Sequence, residues 1–472
     1  MSFAPRPSTG FDLEVETLIV GAGCAGLIAA LAAHEAGQDV LVLERDAVPS
    51  GSTALSAGLI PAAGTAQQRA AGITDTPEVF AADIMRKAAG EPDHHLVEAL
   101  TKGAGEVIGW LTDTIGLPFT LVDNFDYPGH NNRRMHGLPS RSGEELINAL
   151  REACETRSIL IATERVVETL FAASDRVTGV LATLPDGSQE AIGCSKLVLA
   201  CNGFGGNAEM VRSFIPAIAD ALYFGHDGNH GDAIRLGEEL GAATADLGAY
   251  QGHGNVAHPH GILVTWAVIT EGGFQVNILG ERFWDESQGY SEAARHVLAQ
   301  PDGIAFAIFD ARIADVARQF KDFQDAEARG AVKQADSIDD LASVLGLDAL
   351  ALQASFDSAS GTDQFGRTFD ATTKLAPPYC AVKVTGALFH TQGGLKVDGD
   401  GRVLNTVGAT LPNLFATGGA AVGVSGRGDS GYLSGNGLLS AAVLGRKAGH
   451  FSLELLSAGP SPAPHNGVHD HA

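Results

Sequence analysis

Residues 16–45 read ETLIVGAGCAGLIAALAAHEAGQDVLVLER, and their spacing decides the fold. Thr17 to Val20 is a short apolar run rich in β-branched residues, the composition of a buried strand. Gly21-Ala22-Gly23-Cys24-Ala25-Gly26 turns the chain, and Leu27 to Ala36 has the alanine-rich make-up of a packed helix. A second apolar run, Val40 to Leu43, ends on Glu44, 23 residues after Gly21. In a βαβ nucleotide site the first glycine allows the tight turn. The second lets backbone N–H groups approach a pyrophosphate, and the third lets helix and strand pack closely. The phosphates sit at the helix N-terminus, where unpaired N–H groups and the dipole favour anions. Glu44 can accept hydrogen bonds from both hydroxyls of an adenosine ribose. Strand, turn, helix and acid in this order predict a dinucleotide site.

Outward from that unit, residues 48–58 (VPSGSTALSAG) are small and hydroxylated, suited to backbone lying against a flat ring and its phosphates. Residues 77–115 carry helical periodicity, and 143–154 does so again. Between them, 126–141 (DYPGHNNRRMHGLPSR) is a polar loop crowded with Tyr, His, Asn and Arg, a composition that often carries function. Residues 159–169 alternate as a strand, and 176–187 reads as a hairpin-like excursion. Lys196 to Ala200 is another buried strand, running into the glycine-rich turn CNGFGGN at 201–207, which suits the far side of a dinucleotide. The pattern changes from Gly228, with a His- and Gly-rich stretch (His253, His258, His260) and a β-like run from Phe274 to Phe283 with a turn at Leu279-Gly280. Residues 305–359 read as charged helix, and roughly 235–370 as an inserted domain. Nucleotide-type sequence returns at 393–397 and 414–420, and a final helix is expected from Gly437 to Leu455.

Composition narrows the partners. The 472 residues carry a net charge of −25, spread along the chain, so no basic stripe is present to bind nucleic acid or an anionic membrane surface. No apolar run of about 18 residues predicts a transmembrane helix. The N-terminal sequence lacks the apolar core of a secretory signal, and the five cysteines follow no CxxC or metal spacing, so reduced, buried thiols in a cytoplasmic protein are expected. His253, His258 and His260 mimic a metal cluster, but no acid or cysteine completes it, so no metal is expected. Residues 458–472 read as a disordered tail.

With these residues in view, the sequence resembles the flavoproteins of the fumarate reductase, succinate dehydrogenase and 3-ketosteroid dehydrogenase superfamily, from about Phe11 to His450. The resemblance implies an α/β fold: a discontinuous Rossmann-like FAD-binding domain (11–234 and 371–457) with an inserted α+β cap domain (235–370). Cofactor contacts carried over are Gly21, Gly23, Cys24, Ala25, Gly26, Glu44, Arg45, Ser52, Thr53, Ser56, Ala57, Gly58, Val167, Ala200, Asn202, Gly203, Asp232, Gly418, Gly419, Gly437 and Leu438. Thr53-Ala54-Leu55-Ser56 has no histidine of the kind that attaches FAD covalently in some members, so non-covalent FAD is implied.

Fumarate reductases clamp two substrate carboxylates with arginines. At the two matching places this chain has Tyr290, in ESQGY, and Tyr432, in SGYLSGNG. Their acid-and-arginine proton path corresponds to Trp266 and Ile269. The tyrosines resemble the ketosteroid dehydrogenase arrangement, with Tyr127 as its third member. His390 instead matches a substrate histidine of the fumarate reductase branch, implying a ring ketone with a further polar group, for which Arg133, Arg134, Arg141 and Arg427 are candidate contacts. The chemistry expected is α,β-dehydrogenation of a cyclic ketone, such as 4-oxocyclohexanecarboxylate or a 3-oxosteroid. Tyr290 takes the α-proton with its pKa lowered, Tyr127 assists, and Tyr432 with backbone N–H groups at Gly435 or Asn436 meets the carbonyl oxygen. An electron acceptor of unknown identity completes turnover. Two rivals stand beside this: reduction of an activated C=C as in fumarate or urocanate reductases, and a flavoprotein that keeps FAD for structure or electron relay and turns over no small organic substrate.

Overall fold

The register of one sheet brings three glycine-rich turns to a single edge. The computed structural model describes residues 3–123 and 127–453; the expected tail at 458–472 lies outside them. In a nine-stranded sheet, Leu13–Val20 lies between Val40–Leu43 and Gln189–Leu199, parallel to both, and Thr410–Ala416 runs parallel to Gln189–Leu199. Val20 pairs with Leu199, and Leu199 with Ala416. The strands therefore end level, each running into its turn: Gly21–Gly26, Cys201–Gly203 and Gly418–Gly419. Ligands of open α/β sheets bind at such carboxyl ends.

The helix Cys24–Glu35 has ten buried residues, which explains its alanines: it is enclosed, so no polar face is needed. Its closest partner is the last helix, Asn436–His450. A Cβ on Gly449 would stand 2.1 Å from the Ala29 carbonyl oxygen and one on Gly445 2.7 Å from that of Ala25, so glycine is what lets the two backbones touch.

A seven-stranded second sheet is built around Tyr379–Thr391, which pairs with Tyr250–Ala257 and Ile304–Asp310 and also with Leu222–Tyr223 and Val332–Ala335. Its strands thus come from both sides of the 235–370 span read as the insert. Several local expectations are corrected. Ile304–Asp310 is a strand buried along its whole length, not helix: IAFAIFD is a short continuous apolar run without helical period. Val332–Ala335 is also a strand, separating the helices Ala311–Ala317 and Lys321–Ala328 from Ile338–Leu345 and Ala349–Ser358. Residues 159–169 contribute to two strands, Leu160–Ala162 and Val166–Ala173, divided at Glu164, whose φ is +57°. The periodic stretch 77–115 is two helices, Pro77–Lys87 and His94–Trp110, the second capped by the Asp93 carboxylate and closing in a π-helical turn at Leu111–Ile115. After Phe274–Asn277 the chain turns at Gly280, but that strand's partner is Ile304–Asp310. No helix among the described residues is long and apolar enough to cross a membrane.

Candidate functional site

A cleft of about 1280 Å³ runs from the level strand ends to the second sheet. That exceeds the usual 300–1,000 Å³ of a small-ligand pocket and leaves room for a dinucleotide and a substrate together. Of the carried-over cofactor residues, all but Gly26, Gly58 and Gly203 line it. Those three act behind the wall. A Cβ on Gly26 would stand 1.8 Å from the Gly21 carbonyl oxygen, which makes glycine obligatory at the third position. One on Gly58 would meet the Ser142 carbonyl at 2.6 Å, and one on Gly203 the Thr391 hydroxyl at 2.0 Å.

The dinucleotide end is preorganised by short-range bonds. Glu44 accepts the Ala22 N–H at 2.6 Å on one oxygen and the Asp46 N–H at 3.0 Å on the other, which fixes its carboxylate at the strand end. Thr53 Oγ1 accepts the Cys24 N–H at 3.0 Å, tying residues 51–58 to the helix N-terminus. Ser52 Oγ accepts amide protons from Asn202 (3.0 Å) and Asn229 (2.9 Å), so one hydroxyl ties the second turn to the segment at Asn229. Ser56 caps Gly58 N–H at 3.1 Å. Arg45 donates to the Gly228 carbonyl and lies 3.5 Å from Asp232. Helix N–H groups, a glycine turn and a fixed acid at the far strand end are the donor and acceptor set that FAD requires, and they fit it.

The other end of the cleft is aromatic. Tyr290 begins the helix Tyr290–Leu298, and Tyr432 lies in the turn before Asn436–His450; their rings meet edge to face at 6.3 Å between centroids. The Tyr290 hydroxyl is 2.9 Å from Ser434 Oγ. His253 stacks between Tyr290 (5.1 Å) and Phe389 (5.4 Å), and Trp266 packs edge-on to both Tyr290 and His253. Tyr127 and His390 complete the wall.

Burial dominates the electrostatics here. It raises Tyr290 well above 10 and Tyr432 and Tyr127 to about 12, while lowering His390 to about 4 and His253 to about 3. The Tyr432 hydroxyl also faces backbone N–H groups of Gly437 and Gly435, which pull its pKa the other way. The expected lowering of the Tyr290 pKa is therefore corrected: Ser434 lowers it, but burial outweighs that bond.

Other sequence candidates are placed differently. The Asn436 N–H donates to the Leu433 carbonyl at 3.1 Å and its side chain is fully buried, so Gly435 and Gly437 carry the backbone donors at the cleft. Arg134 is enclosed by Asp75 and Asp83 at 2.9 and 2.6 Å. Arg141 staples the loop through Thr120, Leu121 and Gly137, Arg133 donates to the Asp123 carbonyl, and Arg427 is exposed away from the cleft. Sequence reading missed Ser434, Gln392, Asn229 and His130. His130 bonds the Ser434 carbonyl at 3.0 Å and Arg134 at 3.3 Å, so the buried Asp75–Arg134–Asp83 cluster supports the segment beside Tyr290. Among the described residues no group of His, Cys, Asp and Glu is placed to hold a metal, and all five cysteines are free thiols.

Residues 16–438 match the family described as FAD binding domain. The chain is 31% identical over 453 residues to a probable fumarate reductase of Shewanella frigidimarina, covering 94% of this chain and 75% of that one. It is 24% identical to the 4-oxocyclohexanecarboxylate 2-dehydrogenase of Sinomonas cyclohexanicum, over 92% of this chain and 94% of the relative. Among solved structures, an open flavocytochrome c3 fumarate reductase superposes with a TM-score of 0.80 at 29% identity, over 94% of this chain and 78% of its own. The 3-ketosteroid Δ4-(5α)-dehydrogenase of Rhodococcus jostii RHA1 does so at 0.75 and 26%, over 94% and 99%. The glycine turns, the cleft they line and these likenesses together mean that the chain belongs to the FAD-binding-domain family, as an FAD-dependent oxidoreductase acting on CH–CH or C=C bonds.

Proposed function

We propose that the protein desaturates a cyclic ketone between its α and β carbons. The observation that carries this reading is the Tyr290–Tyr432 pair, in ring contact at the aromatic end of the cleft. Of the cleft's cations, Arg45, Arg141 and Arg165 are bonded to protein groups, Lys321 pairs with Asp325, and Arg329 is exposed beside the helix Lys321–Ala328. A dicarboxylate would find no clamp there. A ketone needs only a base at Cα and donors at its oxygen.

When bound, FAD supplies the two-electron acceptor for the hydrogen that leaves Cβ with its bonding pair. Tyr290, as its phenolate, takes the Cα proton and becomes the phenol, and Ser434 steadies the phenolate beforehand. Tyr432, its oxygen held by backbone N–H groups, turns its proton to the carbonyl oxygen as enolate charge develops. Trp266, His253 and Phe389 exclude water and give a flat apolar surface for a ring. A small ring ketone such as 4-oxocyclohexanecarboxylate and a 3-oxosteroid are the substrates to try. Reduction of an unsaturated carboxylate is the second reading, favoured by the fumarate reductase likeness over 94% of the chain.

Anaerobic mixing of the yellow protein with ring ketones and with dicarboxylates separates the two. Ketones are expected to bleach the flavin band, and Tyr290→Phe to slow bleaching about 10²- to 10⁴-fold with FAD retained. Bleaching by succinate and by no ketone defeats the proposal.

A further inference from the structure

His390 is the penultimate residue of the central strand of the second sheet, and behind it lies a buried line of polar groups that ketone chemistry alone does not call for. Gln392, Ser425 and Asn436 are each at most 4% exposed. The Asn436 amide nitrogen donates to the Val424 carbonyl at 3.5 Å and to Ser425 Oγ at 3.3 Å. A carbonyl can only accept, so this fixes which end of the Asn436 amide faces Ser425. Having accepted that bond, the Ser425 hydroxyl has its own proton to give, and Gln392 Oε1 lies 3.0 Å away. Gln392 is thereby oriented, and its NH₂ faces His390 Nδ1 at 2.7 Å. The side-chain orientations are assigned from this network. A ring nitrogen that accepts a hydrogen bond carries no proton, so in a neutral imidazole the proton sits on Nε2.

The surroundings of the ring are equally specific. A Cβ built on Gly437 would have as its nearest neighbours Gln392 Nε2 at 3.8 Å, a ring carbon of His390 at 3.9 Å and the Tyr432 hydroxyl at 4.0 Å. His390 and the Tyr432 hydroxyl thus border the same stretch of the cleft, beside Gly437.

We propose that Gln392 is a positioning residue that holds His390 as a neutral Nε2–H donor, and that this N–H joins the Tyr432 hydroxyl on the substrate's ketone oxygen. The ketone part rests on the desaturation reading above; the donor state of His390 does not. The Cα proton goes to Tyr290, and the two donors share the oxygen's charge without giving up their own protons. A neutral imidazole offers a carboxylate no countercharge, so this end of the cleft selects a ketone oxygen. That replaces the second polar group expected for His390 from sequence.

The test uses FAD-loaded protein with nitrogen-15 histidine, in which His390→Gln identifies the signal by its loss. The expected spectrum at neutral pH has Nδ1 unprotonated and Nε2 protonated. Gln392→Glu puts an acceptor where a donor was and moves the proton to Nδ1. Flavin bleaching by a ring ketone should then slow about 10²-fold, the usual loss for one donor at a developing oxyanion. A proton on Nδ1 or an imidazolium in the unaltered protein overturns the donor assignment. Gln392→Glu bleaching at the unaltered rate overturns the placement of His390 on the ketone oxygen. If Nε2 is protonated but no ketone bleaches the flavin, the donor assignment stands and the ketone half fails together with the desaturation reading.

Discussion

Ser434→Ala removes the hydroxyl that meets Tyr290 at 2.9 Å and little else, since the residue's carbonyl bond to His130 stays in place. A hydrogen bond to a charged group contributes about 1.5–3 kcal/mol. If all of that bond is felt when Tyr290 is anionic, the Tyr290 pKa rises by about one to two units, at about 1.4 kcal/mol per unit. The same energy in the proton-transfer step slows flavin reduction about 10- to 100-fold. The sign follows from what the bond stabilises. Ser434 lowers a pKa that burial has already raised, so its loss raises it further. Reduction by ketone, which needs Tyr290 as a base, should climb with pH in the unaltered protein and climb at still higher pH in the variant. Stopped-flow bleaching across the alkaline range measures both effects, and Ser434→Thr, which keeps a hydroxyl, should restore most of the rate. A variant with unaltered rate and an unmoved pH limb would refute the reasoning.

Gly26→Ala should purify colourless or fail to fold, because its Cβ would sit 1.8 Å from a backbone oxygen; the flavin-to-protein absorbance ratio reads this directly. Arg134→Met leaves Asp75 buried without its cation and Asp83 with Arg86 alone, and should lower stability by about 3–5 kcal/mol in urea unfolding. Acid should expose the same cluster. Burial pushes the Asp83 carboxyl up, but Asn131, Arg134 and Arg86 together hold it below the usual range. Its contribution is present above the unfolded value of about 3.9 and is lost as pH falls through the lower folded one, a slope that Asp83→Asn should remove from the urea midpoint.

The cofactor end was legible because its chemistry is local. Gly21, Gly26 and Glu44 act within one βαβ unit, and spacing alone sets their distances. Tyr290, Tyr432 and His390 were found through likeness to a family, since no short-range pattern marks a tyrosine as a base. Their supports were out of reach: Gln392 meets Ser425 across 33 residues and His130 meets Ser434 across 304, and only the folded chain joins them. Ile304–Asp310 escaped for another reason, as six consecutive apolar residues carry no period that separates buried strand from helix. The Tyr290 pKa was misjudged because sequence shows a phenol's neighbours poorly and its burial not at all.

The 13-residue strand Tyr379–Thr391 has a practical consequence for anyone building chimaeras. It is the spine of the upper sheet, yet its last residue touches the second glycine turn, where Thr391 Oγ1 accepts the Phe204 N–H at 3.3 Å. Grafting residues 235–370 from a relative would import a half-sheet without its spine and leave His390 on a foreign support. Junctions placed before Leu222 and after Gln392 would transplant the layer, its histidine and that histidine's glutamine as one heritable block.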